Sequence, residues 1–453
     1  MGIDSALGAD FAGRLALWQV LARVLDQGSR LSAVRLAQAH AATEVLGMRR
    51  GFDENDLYAN LTWLSQHQES IEKQLFTARR GTRKPELFLY DVTSSYLEGD
   101  DNALGAYGYN RDGQKGKKQM VIGLLCDEQG EPVSSEVFRG NTQDTATFGS
   151  QVKKASQRFA GERVTLVGDR GMIQSGQIED LSKTGFHYIT AITKPQIETL
   201  LQTGLLQMAW FDDTLCEVEH DRVRYILRRN PRRAEELVAS RADKQASVET
   251  REHPRAKVAT AQKAVRAKIV KLKLEPWLQI ELEERSLKLT VNPEALDEAA
   301  RLDGCYVLKT DLPANVAATQ AVHDRYKDLT LVEQAFRTCK TAHLEARPVY
   351  VRTEDHTRGH VLVVMLAYLV RREFSRAWAA LDVTVEEGLQ QLQTLCSTEI
   401  QVEGGGSCLR IPTPSVALRA LLDALKVRIA EALPHTDTSV VTRKKLPEQR
   451  KPR

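Results

Sequence analysis

The chain has 453 residues, 63 Lys+Arg against 60 Asp+Glu and a formal net charge of +3, with 42% hydrophobic and 27% charged residues. That length suits about three domains, or one large domain with an insertion. The composition excludes a disordered, collagen-like or membrane-embedded chain. The balanced total also counts, at first sight, against a strongly basic nucleic-acid binder. The six cysteines (Cys126, Cys216, Cys305, Cys339, Cys396 and Cys408) form no C-x-x-C pair. A disulfide framework or zinc ribbon is therefore not expected, and a reducing cytosol is. The first sixteen residues carry acids and no basic stretch before Arg14, unlike a signal peptide. The longest apolar run, residues 361–370, is closed by His360 and Arg371. It is too short to span a bilayer and predicts a buried helix.

In chain order, residues 12–80 predict helices, with apolar residues recurring at helical spacing in Leu15, Val20, Val24 and again in Leu57, Leu61, Leu64. Asp53 or Asn55 would cap the second of these. After the basic break at residues 79–85, strands are predicted at 86–92, 120–126 and 134–138, the last two joined by a turn through Asp127, Gln129 and Gly130. A helix at 144–159, a strand at 163–167, a helix at 178–183 and a strand at 186–192 follow, which makes a mixed α/β sheet. Residues 194–300 break this pattern. Strands are expected at 218–227 and 287–291, with a polar stretch at 232–273 reading as helical arms. Strand character returns at 306–308, and helices at 316–326, 331–339 and 361–380 follow it. Gly404-Gly405-Gly406-Ser407 predicts the turn of a small hairpin, and the basic residues 443–453 a disordered tail.

Three acids stand out. Asp91 is expected at the end of an apolar strand, Asp169 directly after another, and Glu333 within a helix near Tyr326, Arg337 and Lys340. Two strand-end aspartates and a helix glutamate can meet at one sheet edge and suit a hard cation such as Mg²⁺ or Mn²⁺. Singly, each has a plainer explanation: an Asp after a strand usually forms a turn, and a helix Glu is usually solvated. Arg337 and Lys340 could equally be a solvated helix face pairing with Glu333.

Four blocks carry a resemblance in order along the chain. They are Tyr90-Asp91-Val92-Thr93-Ser94-Ser95-Tyr96, followed by Gly108-Tyr109-Asn110 and Lys115-Gly116-Lys117-Lys118; Gly140-Asn141-Thr142-Gln143-Asp144; Val167-Gly168-Asp169-Arg170-Gly171-Met172; and Asp303-Gly304-Cys305-Tyr306-Val307-Leu308, then Tyr326, Glu333, Phe336, Arg337 and Lys340. Over roughly residues 50–380 the chain resembles bacterial insertion-sequence transposases of the Asp-Asp-Glu type. Tyr326, Glu333 and Lys340 keep the Tyr-x2-Arg-x3-Glu-x6-Lys spacing of one subgroup, but Leu329 stands in place of its arginine. The phosphate contact of that arginine would shift to Arg325 or Arg337.

The resemblance implies a ribonuclease H-like α/β core, a mixed sheet flanked by helices, with a β-strand-plus-helix insertion domain and a helical N-terminal region. The expected division is 1–84 helical, 85–193 first core part, 194–300 insertion, 301–380 second core part with the glutamate helix, 381–442 a helical and hairpin region, and 443–453 the tail. It implies catalysis and binding of two Mg²⁺ or Mn²⁺ ions by Asp91, Asp169 and Glu333. DNA contacts would come from Tyr326, Arg337, Lys340, Arg170, Lys117 and Lys118. The implied partners are transposon ends with terminal inverted repeats and target DNA, met by a homodimer in a paired-end complex in the bacterial cytoplasm at the nucleoid. Relatives often carry further N-terminal sequence for end recognition, and this chain is expected to lack part of it. Two other readings share these residues: a DNA-binding derivative without catalysis, and a nuclease without strand transfer.

Other motifs carry less. His356 and His360 lack the Glu of H-E-x-x-H, since Thr357 stands there, so Arg358 and His360 are expected to touch DNA or cap the next helix. Residues 210–227 predict a β-hairpin with Trp210 in its core. The charge is also unevenly divided. Residues 222–273 carry sixteen Lys/Arg against five Asp/Glu, or +11; residues 443–453 carry +5; the remainder is −13. A basic insertion and tail would grip phosphates while an acidic core holds cations.

Overall fold

The computed structural model describes all residues except 82, 160–163, 250–257, 284–285, 342, 348, 350, 402–406, 437 and 444–453. The glycine turn at 404–406, nearly all of the basic tail and the centre of the basic stretch lie outside the described residues. The chain divides into two compact units, Met1–Phe186 with Lys327–Arg453, and His187–Tyr326.

The first unit opens with α1 (Ile3–Leu7), α2 (Phe11–Leu25), α3 (Arg30–Ala39), α4 (Ala42–Val45) and the long α5 (Glu54–Arg80). Asp53 is the cap of α5: its carboxylate accepts from the Asn55 and Asp56 amides, and Asp56 returns a bond from the Asp53 amide. Leu15, Trp18, Val34, Met48, Phe52 and Leu57 form the core of this helical region. The sheet follows, as β1 (Leu87–Tyr96), β2 (Gln119–Asp127), β3 (Pro132–Arg139), α6 (Asp144–Lys153, continued by one π turn), β4 (Thr165–Gly168) and α7 (Ser175–Thr184). The strand order in this unit is β3-β2-β1-β4, antiparallel except for the parallel pair β1–β4. The nine residues of β2 are all buried. The β2–β3 turn is the predicted one: Asp127 Oδ1 accepts from the Gln129 and Glu131 amides.

The second unit contains β5 (His187–Ala191), α8 (Lys194–Gln202), β6 (Cys216–His220), β7 (Val223–Arg229), α9 (Pro231–Glu249), α10 (Val258–Leu272), β8 (Leu278–Glu283), β9 (Ser286–Val291), α11 (Pro293–Ala300), β10 (Cys305–Thr310) and α12 (Thr319–Lys327). Its strands run in the order β5-β10-β7-β6, and β8–β9 form a separate hairpin. The single strand expected at 218–227 is two strands: Asp221 and Arg222 turn the chain with φ of 50° and 62°. Two of the local arginines serve the fold. Arg224, 2% exposed, donates to both Glu217 carboxylate oxygens (2.7 Å each) and to the Leu312 and Ala317 carbonyls (2.8 Å each). Arg241 pairs with the buried Asp303.

The chain returns to the first unit with α13 (Leu329–Lys340), α14 (Glu354–Trp378), α15 (Val385–Leu392), β11 (Thr398–Gln401), β12 (Ser407–Arg410), α16 (Val416–Ala424) and β13 (Ala432–Pro434). α14 is the predicted buried helix, inaccessible from Gly359 through Arg371, and it packs on α5, α2 and β3. α13 lies against β1. Among the described residues no helix is long and apolar enough to cross a membrane.

Candidate active site

Strand pairing brings the two aspartates together. β1 and β4 run parallel in a register that pairs Leu87 with Thr165 and ends at Tyr90 with Gly168. The next residues are Asp91 and Asp169. The expectation that Asp91 ends its own strand needs correction. β1 continues five residues to Tyr96, because Thr93, Ser94 and Ser95 go on pairing with β2 and are buried there. Asp91 marks instead the point where β4 stops covering β1. Its Oδ1 accepts the Val92 amide (2.8 Å), and Asp169 Oδ1 accepts the Arg170 amide (2.7 Å) at the start of a turn closed by Met172 N–H to Asp169 O (3.0 Å).

The helix supplies the third acid. Leu329, Val332, Ala335, Phe336 and Cys339 make a buried stripe that seats α13, which leaves Glu333 on the helix's exposed flank. Asp91, Asp169 and Glu333 line one pocket of about 280 Å³, together with Thr93, Arg111, Asp144, Arg170 and Phe336. Burial pushes the Asp91 carboxyl up from 3.8 to about 7; the Val92 amide opposes this, Asp169 and Glu333 add to it, and Arg111 pulls it back. Asp169 and Glu333 therefore lie close enough to act on the Asp91 carboxyl.

A donor set of oxygens only suits a hard divalent cation, and a dication would offset the negative charge that Asp169 and Glu333 set beside Asp91. The fit is in the chemistry of the donors. Among the described residues no three His, Cys, Asp or Glu side chains stand as a formed metal-binding group. The carboxylates thus share a pocket without converging on one point.

The other predicted residues are dispersed. Arg170 is exposed and lines the pocket. Arg337 is exposed on α13. Lys340 turns inward: its Nζ donates to Thr93 Oγ1 (3.0 Å) and pairs with Asp112, so it fastens α13 to β1. Burial lowers its pKa, and Asp112 opposes that. Lys117 pairs with Glu98 (3.1 Å) and Lys118 donates to Asp100 O (2.9 Å); neither is among the pocket's lining residues. Tyr326 is half-buried on α12 and belongs to the second unit. Leu329, at the signature's arginine position, is 8% exposed and part of the core. The expected surface role of His360 also fails. It is buried, with Nδ1 2.9 Å from Arg30 Nη2 and Nε2 3.2 Å from Ala346 O, and Arg358 pairs with Glu354 one turn away. Sequence reasoning missed Arg111 and Asp144, which line the pocket, and Asp112, which pairs with Lys340. Asp144 closes the Gly-Asn-Thr-Gln-Asp block, and Arg111 and Asp112 directly follow Gly-Tyr-Asn, so the quoted motifs contained the first and bordered the other two.

A mixed sheet flanked by helices, with acids at the strand and helix positions just described, fits the ribonuclease H-like class of transposase cores. Residues 82–370 match the family described as Transposase DDE domain, and the chain belongs to that family. Members generally use divalent metal ions. Among curated proteins no sequence matches. Two solved structures are similar in part. One is the piggyBac transposase synaptic complex with hairpin DNA, at 9% identity and TM-score 0.42, covering 78% of this chain and 63% of that one. The other is the Mos1 transposase paired-end complex with left transposon end, at 12% identity and TM-score 0.17, covering 36% of this chain and 58% of that one. This chain thus spans less than two thirds of either, and neither superposition is close enough to argue from.

Proposed function

We propose that this protein is a DNA transposase that cuts transposon ends and joins them to target DNA by phosphoryl transfer, with Asp91, Asp169 and Glu333 as its catalytic and cation-holding residues. The observation that carries the reading is the parallel β1–β4 register, which ends one residue before both aspartates, with Glu333 lining the same pocket. The three carboxylates would hold Mg²⁺ or Mn²⁺, in all two ions, which when bound activate an attacking oxygen and stabilise a leaving oxygen. In the first step water displaces the 3′ oxygen of a phosphodiester at a transposon end. In the second the freed 3′-hydroxyl displaces a 3′ oxygen in target DNA, one P–O bond forming as another breaks. Both displacements depend mainly on positioning and charge, and no protein nucleophile is required.

Arg170 at the pocket and Arg337 on the exposed side of α13 offer cations to the phosphates of the strand, with Tyr326, Lys117 and Lys118 contacting DNA further along. Lys340 acts by holding α13 against β1, which sets Glu333 relative to Asp91. The working form is a homodimer on paired transposon ends carrying terminal inverted repeats, at the bacterial nucleoid.

The test is cleavage of labelled DNA from either side of the coding region with Mg²⁺ present. The wild type is expected to cut. Asp91→Asn is expected to lose more than about a hundredfold, since even losing an outer partner of a metal ligand costs tenfold to a hundredfold. Unchanged cutting by Asp91→Asn would overturn the assignment. Joining of the cut end to a plasmid separates transposition from simple hydrolysis.

A further inference from the structure

A second pocket, about 460 Å³, shares Arg111 and Asp144 with the carboxylate pocket and includes Gly171 and Gln174 just after Asp169. Its floor is tightly built. Gln119 Nε2 donates to Tyr109 O (3.1 Å) and Gly140 O (2.8 Å), while the Gln119 and Ala106 backbones exchange two hydrogen bonds. A Cβ at Gly140 would lie 1.9 Å from Gln119 O, and one at Gly108 2.2 Å from Gly140 O, so glycine is required at both positions. Because two carbonyls fix the amide nitrogen, the other end of the Gln119 side chain is the acceptor, and this buried Oε1 has no hydrogen-bond partner among the described residues.

The wall has a different character. Tyr109 is 81% exposed, and the Arg111 guanidinium lies 5.7 Å from its ring centroid. The same guanidinium donates to both Asp144 oxygens (2.9 and 2.7 Å). An exposed pair of this kind is held weakly, and its planar fork serves a phosphate as well as a carboxylate.

We propose that this pocket is a nucleotide subsite, in which Tyr109 stacks an unpaired base over the Gln119 floor and Arg111 exchanges Asp144 for the phosphate linking that nucleotide to the one at Asp91. Every base offers a flat face to stack on Tyr109, so the subsite tolerates sequence. The inference rests on the proposed cutting site only for which phosphate Arg111 holds.

The test uses the full chain, without divalent cation, and a short DNA duplex ending in a single-stranded tail that carries 2-aminopurine. The wild type is expected to quench the probe by stacking. Tyr109→Ala should lose the quenching and bind the tail about fivefold to a hundredfold more weakly, while Tyr109→Phe keeps both. Arg111→Ala should reduce the salt slope by about 0.7, the share of one single-strand phosphate. Quenching and affinity unchanged in Tyr109→Ala, or an unchanged slope in Arg111→Ala, would overturn the subsite. The two readings fail separately. Asp91-dependent cutting with unaltered stacking in Tyr109→Ala sinks this inference alone; Tyr109-dependent stacking with cutting indifferent to Asp91 sinks the catalytic assignment alone.

Discussion

Asp112 is expected to be worth more to stability than any other acid near the pocket. Its side chain is 2% exposed and pairs with Lys340 Nζ at 2.5 Å and with the Arg347 guanidinium, while its second oxygen accepts the Tyr96 amide (3.2 Å). Asp112→Ala would leave the Lys340 ammonium, itself 10% exposed, with only Thr93 Oγ1 and the Ser94 carbonyl among the described residues. Stranding one partner of a buried pair costs about 3–5 kcal/mol. Arg347 is 29% exposed and can turn to water, so the lower half of that range is expected. Urea unfolding followed by tryptophan fluorescence gives the loss. The double variant Asp112→Ala/Lys340→Met removes both charges and should lose less than Asp112→Ala alone. The pH sign is also fixed. Burial already depresses Lys340, and without Asp112 it falls further. The unfolded chain then binds more protons from that lowered value up to about 10.4, so the stability of Asp112→Ala should recover as pH rises through that window. A loss under about 1 kcal/mol, or a double variant as unstable as the sum of the singles, would refute the reasoning.

Two further outcomes are expected. In chelator, burial keeps Asp91 protonated to about pH 7 when folded against 3.8 when unfolded, so its contribution is full below 3.8 and is lost as pH rises through 7. Asp91→Asn should therefore gain in melting temperature over wild type from acid to mildly alkaline buffer, and parallel profiles would contradict it. Gly359→Ala would set a Cβ 2.1 Å from the Leu61 carbonyl and push α14 off α5, a cost of about 1–3 kcal/mol or more, whereas Gly149→Ala meets nothing within 4 Å and should stabilise α6 by about 0.5–1 kcal/mol. Thermal melts of the two would check the contrast.

The elements that read clearly in the sequence are those with strong periodicity or a sharp composition change. The apolar runs ahead of Asp91 and Asp169 mark both acids, and the helical spacing over 331–339 marks α13. The pairing order did not read, because nothing local in residues 86–92 or 163–167 says that these segments run parallel and side by side. Residues 278–283 alternate apolar and polar, and β8 was legible there but was lost beside the charged arm. The 218–227 segment hid its turn because Asp221 and Arg222 carry no glycine to mark a positive φ. Arg111 and Asp112 sit in a polar loop, where composition separates no functional side chain from its neighbours; only folding brings them to Thr93, Asp144 and Lys340.

The bond from Lys340 to Thr93 spans 247 residues of chain. At about 5–20 residues per second of synthesis, roughly ten to fifty seconds pass between the emergence of these two ends of the strut. Through that interval the nascent chain carries Asp91, and later Asp169, with neither α13 nor the strut that seats Glu333. Closing so long a loop adds little free energy for each further residue, but it delays assembly. The pocket can therefore be completed only once α13 has emerged, and a ribosome-bound or truncated chain ending before residue 333 carries Asp91 and Asp169 without the third acid of the pocket.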